Sequence, residues 1–413
     1  MRRSLLGILT VFLIGTLLGT SAIGCGDENG GGGGKVKIII GEITDLTGPA
    51  SPAIWTLHTC LEDWVRYINE ENFIPGVELD IVSWDNKYEV ERDIPGYEWV
   101  KQKGAKLIVC VIPQSGVILK PYADKDETIV VNLSVNSGML TPPGWVFGMS
   151  APHDPMVKAL MKWLHEEDWD KPGEIPRIGI VGWNEAAIIT QKKAMEEYCQ
   201  DHPDQFTYAG GYITPFNTMM FTAEVKALKD CDYILPMGFP ACTFIKQYQT
   251  AGYSATYLDV GVATAYRGFF ARQCGWPALD GWLSANVTLY RDQDTAMVKQ
   301  AVDVLYRYHP DQAEEIIDAG FSYIGGWHNL AATFEILKRA IEQVGPENFS
   351  QQAYYDAAIN YSTSSSMWEG YPTDYGDFNA EKRYLINYID IYEFDADLQD
   401  LVRVNDEWYP LLW

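Results

Sequence analysis

One local pattern recurs along the chain and leaves few folds open to it: a short apolar run, a loop of Gly, Pro, Ser and Asn, then apolar residues at helical spacing. The first copy spans residues 35–55, KVKIIIGEITDLTGPASPAIW. Val36, Ile38 and Ile40 interleave with Ile39 in a run that reads as a buried, parallel strand. Gly48, Pro49 and Pro52 punctuate the loop that follows. An amphipathic helix then starts near Ala53, with Ile54, Leu57, Leu61, Trp64, Val65 and Ile68 on one face. In open α/β sheets, loops of this kind wall the crevice where ligands bind.

The same spacing predicts strands at 77–84, 107–112, 129–131 and 146–149, with a helix ending at Lys103 and another through 120–124. The rhythm restarts beyond Pro152. Helices are expected at 156–165, 188–199, 222–228 and 241–250, and strands at 177–181, 206–212, 233–235 and 257–259. This predicts two α/β halves joined near Pro152. The stretches 292–308 and 323–344 read as long helices and 384–394 as a late apolar strand. They have to fold back onto the two halves to be buried.

The N-terminal residues read as an address and a tether. Arg2 and Arg3 precede an apolar stretch, 5–18, of signal-peptide length, too short to span a bilayer. Small residues lead to Cys25, which resembles the lipidation site of a bacterial lipoprotein with Ala22 in place of the usual Leu. Residues 1–24 are expected to be removed, leaving Cys25 as the lipidated end. A plain secretory peptide is the competing reading. The run Gly30–34 makes 25–34 a flexible leash. It is no phosphate loop, because Val36 stands where Ser or Thr is needed and the run precedes a strand instead of following one.

Charge excludes some functions. The 413 residues hold 31 Lys and Arg against 56 Asp and Glu, a net charge of −25. Nucleic acid requires a basic footprint, and anionic lipid attracts basic surfaces. No metal-binding His spacing and no G-x-S-x-G nucleophile turn occurs, and Ser115 has no His in neighbouring loops. The chain therefore reads as a binding protein without catalytic residues, metal or cofactor. Seven cysteines (25, 60, 110, 199, 231, 242 and 274) include no CxxC pair. With Cys25 set aside, six could form three disulfides or remain buried thiols.

Candidate ligand contacts sit in loops at strand ends. In the first half these are Thr47, Ala50, Gln114, Ser115, Ser134 and Asn136, whose hydroxyl, amide and backbone N–H groups suit a carboxylate or carbonyl. The same residues also cap helices and turns. In the second half they are Trp183, Met237, Phe239 and Asp259. With 14 Trp and 25 Tyr in the chain, aromatics serve either as core or as ligand wall. Trp55 is either a core residue of its helix or an aromatic lid.

The order of these pieces resembles the branched-chain amino-acid type of extracytoplasmic solute-binding protein. Lys37-Ile38 through Thr47-Gly48-Pro49 is similar to its opening strand and T-G-P loop. Tyr67-Ile68-Asn69, Pro75-Gly76-Val77-Glu78-Leu79 and Asp85 follow in order, without the family's double Gly. Pro113-Gln114-Ser115-Gly116-Val117 and Leu133-Ser134-Val135-Asn136-Ser137 resemble its ligand loops. Phe147, Pro152 and Asp154 resemble its first crossover, with Gly148 replacing an Arg, and 332–345 resembles its late helix. The resemblance implies a type I periplasmic-binding fold: two Rossmann-like lobes with parallel central sheets joined by crossing hinge strands. It implies lobe 1 from 35–152 plus 283–362 and lobe 2 from 153–282 plus 363–413. It also implies closure on a small ligand and delivery to an ABC permease and its ATPase, or presentation to a receptor by a sensing subunit of the same fold. Family members that bind amino acids hold the ammonium group with an acid that falls here between Asp259 and Gly261. If Gly261 is the match, that partner is missing, and the expected ligand is a small organic acid or amide, aromatic ones included, in place of leucine.

Overall fold

The computed structural model describes residues 34–413; the expected signal peptide, Cys25 and most of the glycine leash lie outside them. Two separate sheets form the framework. The first comprises β1 (Val36–Thr44), β2 (Val77–Asp85), β3 (Ala105–Cys110), β4 (Val130–Asn132) and β5 (Val146–Gly148), in the order β2-β1-β3-β4-β5. Every pairing in it is parallel, with Val36 opposite Val77 and Thr44 opposite Asp85 at the two ends of the first ladder. Strand β1 shows why. Its side chains alternate between two cores: Ile38 and Ile40 face the helix Ser51–Glu70, while Ile43 joins Tyr97 and Val100 on the other face. A strand apolar on both faces needs helices on both, and the crossovers of a parallel sheet supply them.

The second sheet holds β6 (Arg177–Trp183), β7 (Thr207–Thr214), β8 (Tyr233–Pro236), β9 (Thr256–Asp259), β10 (Leu283–Asn286), β11 (Tyr388–Asp395), β12 (Asp400–Arg403) and β13 (Tyr409–Pro410). Its order is β12-β11-β10-β9-β8-β6-β7, with β13 on β11. The strands from β6 to β10 are parallel, and β11 to β13 run antiparallel. The protein is thus a two-lobed α/β fold with mostly parallel sheets.

The late helices return to the first lobe. On Ser322–Val344, Trp327 stacks on Trp64 of Ser51–Glu70 at 4.1 Å between ring centroids, and the Trp64 indole N–H donates to the Trp327 carbonyl at 3.1 Å. Ala296–Tyr308 packs beside them through Gln300, which donates to the Tyr67 hydroxyl at 2.8 Å.

Some boundaries differ from the sequence reading. Leu283–Asn286 is a strand of the second sheet, so the chain turns back toward the first lobe after Asn286 and not at 283. The helix expected from 292 begins at Ala296, because the Thr295 hydroxyl accepts from the Val298 N–H and caps it. The late strand begins at Tyr388, because Tyr384 pairs with Gly148 at the edge of the first sheet and Ile386 with Gly376. That segment therefore links the two sheets, as does 149–153 after β5, where Val135 and Pro152 pair. Of the cysteines, Cys242 and Cys274 form a disulfide, and Cys60, Cys110, Cys199 and Cys231 are free and buried. Among the described residues, no helix is long and apolar enough to cross a membrane.

Candidate functional site

A cavity of about 200 Å³ lies between the lobes, where strands of both sheets end. Residues 111–113 reach it after β3, Leu133 and Ser134 after β4, and Ser150 and His153 after β5. From the second lobe come Glu185 after β6, Met237 and Phe239 after β8, and Gly261 and Tyr266 after β9. This is where open α/β sheets place ligands. The helix Ser51–Glu70 adds Ile54 and Leu57, and Ser322–Val344 adds Ser322, Gly325 and Gly326. Apolar side chains make most of the wall. A second cavity of about 350 Å³ adjoins it, sharing Tyr88, Ile112, Pro113, Glu185 and Ala187 and adding Gln114 and Ser115.

The lobes touch across this cleft. The Tyr88 hydroxyl donates to Glu185 at 3.2 Å, and the Tyr88 ring meets Phe239 edge-on at 6.2 Å. Asn136 Nδ2 donates to the Thr190 hydroxyl at 3.2 Å, and the Ala186 N–H donates to Gln114 Oε1 at 3.3 Å. Tyr88 gets there by an unusual route. Lys87 and Tyr88 have φ of 56° and 59°. Left-handed backbone at a bulky side chain is disfavoured, and it persists where the surrounding fold imposes it.

Polar side chains interrupt the apolar wall, among them Ser134, Ser150, His153, Glu185, Gln191 and Thr288. Gln191 is fully buried on the helix Ala186–Asp201, and neither its Oε1 nor its Nε2 has a hydrogen-bond partner. His153 Nε2 lies 3.5 Å from the Ser134 hydroxyl, and its Nδ1 is buried without a partner. Burial lowers the His153 pKa to about 4, so the imidazole is neutral at pH 7. Burial raises the Glu185 carboxyl above its ordinary range, and the hydrogen bond from Tyr88 offsets part of that rise.

The residues singled out from sequence divide into three groups. Ser134, Met237 and Phe239 line the inner cavity, and Gln114 and Ser115 line the adjoining one. Asn136 bridges the lobes and also accepts from the Gly138 N–H at 2.7 Å. The others lie outside both linings. Thr47 and Ala50 belong to a loop tied by two carboxylates: Asp85 accepts from the Leu46 N–H at 2.9 Å and the Thr47 hydroxyl at 2.5 Å, while Asp45 accepts from the Gly48 and Ala50 N–H groups. The donors that would suit a ligand are occupied. Trp55 is partly buried against the core, and Trp183 donates to the Thr218 carbonyl at 2.8 Å with its ring against Phe216. Asp259 accepts from Val262 N, Ala263 N and the Ser284 hydroxyl at 3.1, 2.9 and 2.7 Å, so it serves the turn Val262–Ala265 while Gly261 faces the cavity. Tyr88, His153, Glu185, Gln191 and Tyr266 were not singled out. Only Glu185, just beyond the Trp183-Asn184 strand end, stood where a loop search would find it.

A family profile described as periplasmic binding protein matches residues 37–395. The chain belongs to the periplasmic binding protein family. Solved structures of similar fold include three solute-binding proteins of ABC transporters. A branched-chain amino acid transporter protein of Thermus thermophilus with bound valine is 17% identical, with a TM-score of 0.75 over 92% of this chain and 97% of that one. A fatty acid transporter substrate-binding protein of Thermomonospora curvata is 15% identical, with a TM-score of 0.71 over 90% and 93%. A solute-binding protein of R. palustris in complex with benzoate is 15% identical, with a TM-score of 0.70 over 92% and 98%. A search among curated proteins gives no match. At these identities the likeness establishes the fold, and the family's general kind is binding without catalysis.

Proposed function

We propose that this periplasmic binding protein captures a small organic molecule, an amide or organic acid with an apolar and often aromatic body, and hands it to an ABC permease and its ATPase. The observation that carries the reading is the cavity of about 200 Å³ with walls from both lobes and cross-cleft contacts at Tyr88, Gln114 and Asn136. An apolar cavity of about 150 Å³ holds a benzene ring, so the space suits a ring or branched chain with one polar substituent. Ser134 and Phe239 are assigned to the ligand, with Tyr88, Glu185 and Gln191 beside them. Asp259 is committed to backbone N–H groups, so an α-ammonium group finds no acid at that position. The protein acts outside the cytoplasm, held to a membrane by lipid on Cys25.

A thermal-shift screen over amino acids, aromatic acids, amides and short-chain acids tests the reading, because a ligand bound only by the native state raises the midpoint. Calorimetry on the hits then ranks them. The expected ranking puts amides or aromatic compounds above leucine, isoleucine and valine. Tight binding of those three amino acids would overturn the assignment of ligand class.

A further inference from the structure

If the capture function holds, the cavity lining narrows the ligand further. Among the described residues that line it there is no Lys or Arg, and the one acidic side chain is Glu185. The lone imidazole, His153, is neutral. A carboxylate guest would enter a desolvated chamber with no cation to meet it. Burying a charge unpaired is costly, whereas burying a hydrogen-bonded neutral amide is not.

Gln191 supplies the complementary observation. It is fully buried, it lines the cavity, and both ends of its carboxamide lack partners. A planar group with a free acceptor beside free donors matches another carboxamide through two parallel hydrogen bonds. Both ends are free, so the match does not depend on which end is assigned oxygen. Elsewhere on the lining Ile54, Leu57, Ile188 and Met237 offer only apolar contact. We propose that the cavity takes an uncharged carboxamide with a compact apolar body, its amide paired to Gln191, and rejects the matching carboxylate.

Titration calorimetry at pH 7.5 with matched pairs tests this: benzamide against benzoate, and 4-methylpentanamide against 4-methylpentanoate. Each amide is expected to bind about tenfold or more tightly than its acid. In Gln191→Leu the amides should lose about tenfold or more in affinity. The same variant should melt at or above the wild-type temperature, since it removes unpaired buried polar atoms. Gln191→Met, of near-equal length, repeats the test if the leucine variant does not fold. Carboxylates that bind as tightly as their amides overturn the inference and leave the capture function standing. Unchanged amide affinity in the Gln191 variants overturns the pairing. Failure of both series and of the wider screen contradicts the capture function, and the inference falls with it.

Discussion

The Tyr88 hydroxyl of the first lobe donates to the Glu185 carboxylate of the second at 3.2 Å, and both residues line both cavities. The pair is at once a latch across the cleft and part of the partition between an inner apolar chamber and an outer one. Closure in a two-lobed protein is biased by contacts made across the cleft, and this contact crosses it.

Tyr88→Phe keeps the ring against Phe239 and removes only the hydroxyl. The closed form should lose about 1–2 kcal/mol, seen in calorimetry as ligand affinity weaker by about five- to thirtyfold. Affinity equal to wild type would mean that the latch does not contribute to closure.

The disulfide Cys242–Cys274 ties the helix Ala241–Thr250 to the end of Arg267–Cys274, at a sequence separation of 32. Loop-closure entropy puts its contribution at about 3–4 kcal/mol. The double variant Cys242→Ala/Cys274→Ala should have a lower urea midpoint by that free energy. Reductant should lower the wild-type midpoint and leave the variant unchanged.

His328 is fully buried, with Nε2 at 2.9 Å from the Tyr375 hydroxyl and Nδ1 at 3.1 Å from Asn329 Oδ1. Burial lowers its pKa to about 4 from 6.5. The unfolded chain therefore takes up a proton that the folded protein refuses as pH falls through 6.5. The folded state has the full benefit above 6.5 and loses it progressively toward pH 4, by about 3 kcal/mol for this residue. His153 acts in the same direction. Denaturant melts at pH 7.5 and 4.5 should show the loss, and NMR should find the His328 ring neutral at pH 5.5. A protonated ring at that pH would contradict the account.

Gly325 lies on the cavity side of Ser322–Val344, and a Cβ there would meet only Thr288 Cγ2, at 3.4 Å. Gly325→Ala should therefore stabilise the helix by about 0.5–1 kcal/mol while taking space from the ligand. The expected pattern is a higher melting temperature together with weaker binding of ring-sized compounds. A lower melting temperature would show that the site is tighter than this geometry allows.

The strands were legible because apolar runs such as 36–40 and 177–181 can be buried only in a sheet covered on both faces, and the helix Ser51–Glu70 carried its apolar stripe openly. The site was less so. The Thr47–Ala50 loop has the composition of a ligand loop, but Asp45 and Asp85 take its donors, and that choice is made by β2 lying beside β1. Gln191 reads in sequence as one more polar residue on a helix, and its full burial is decided by tertiary packing. Tyr88 depends on two consecutive left-handed residues that no local signal announces. Asp259 stands at a strand end, and its carboxylate accepts from Ser284 and the N–H groups of 262–263, partners that the strand-end position alone does not announce.

The central claim is that ligand occupies the space between the lobes. The most direct measurement is the thermal-shift screen run in parallel on the wild-type protein and on Gly325→Leu, whose side chain would fill that space. The account predicts compounds that raise the wild-type midpoint and leave the variant, folded and cooperative, unmoved. Equal shifts in both proteins would place the ligand elsewhere and contradict it.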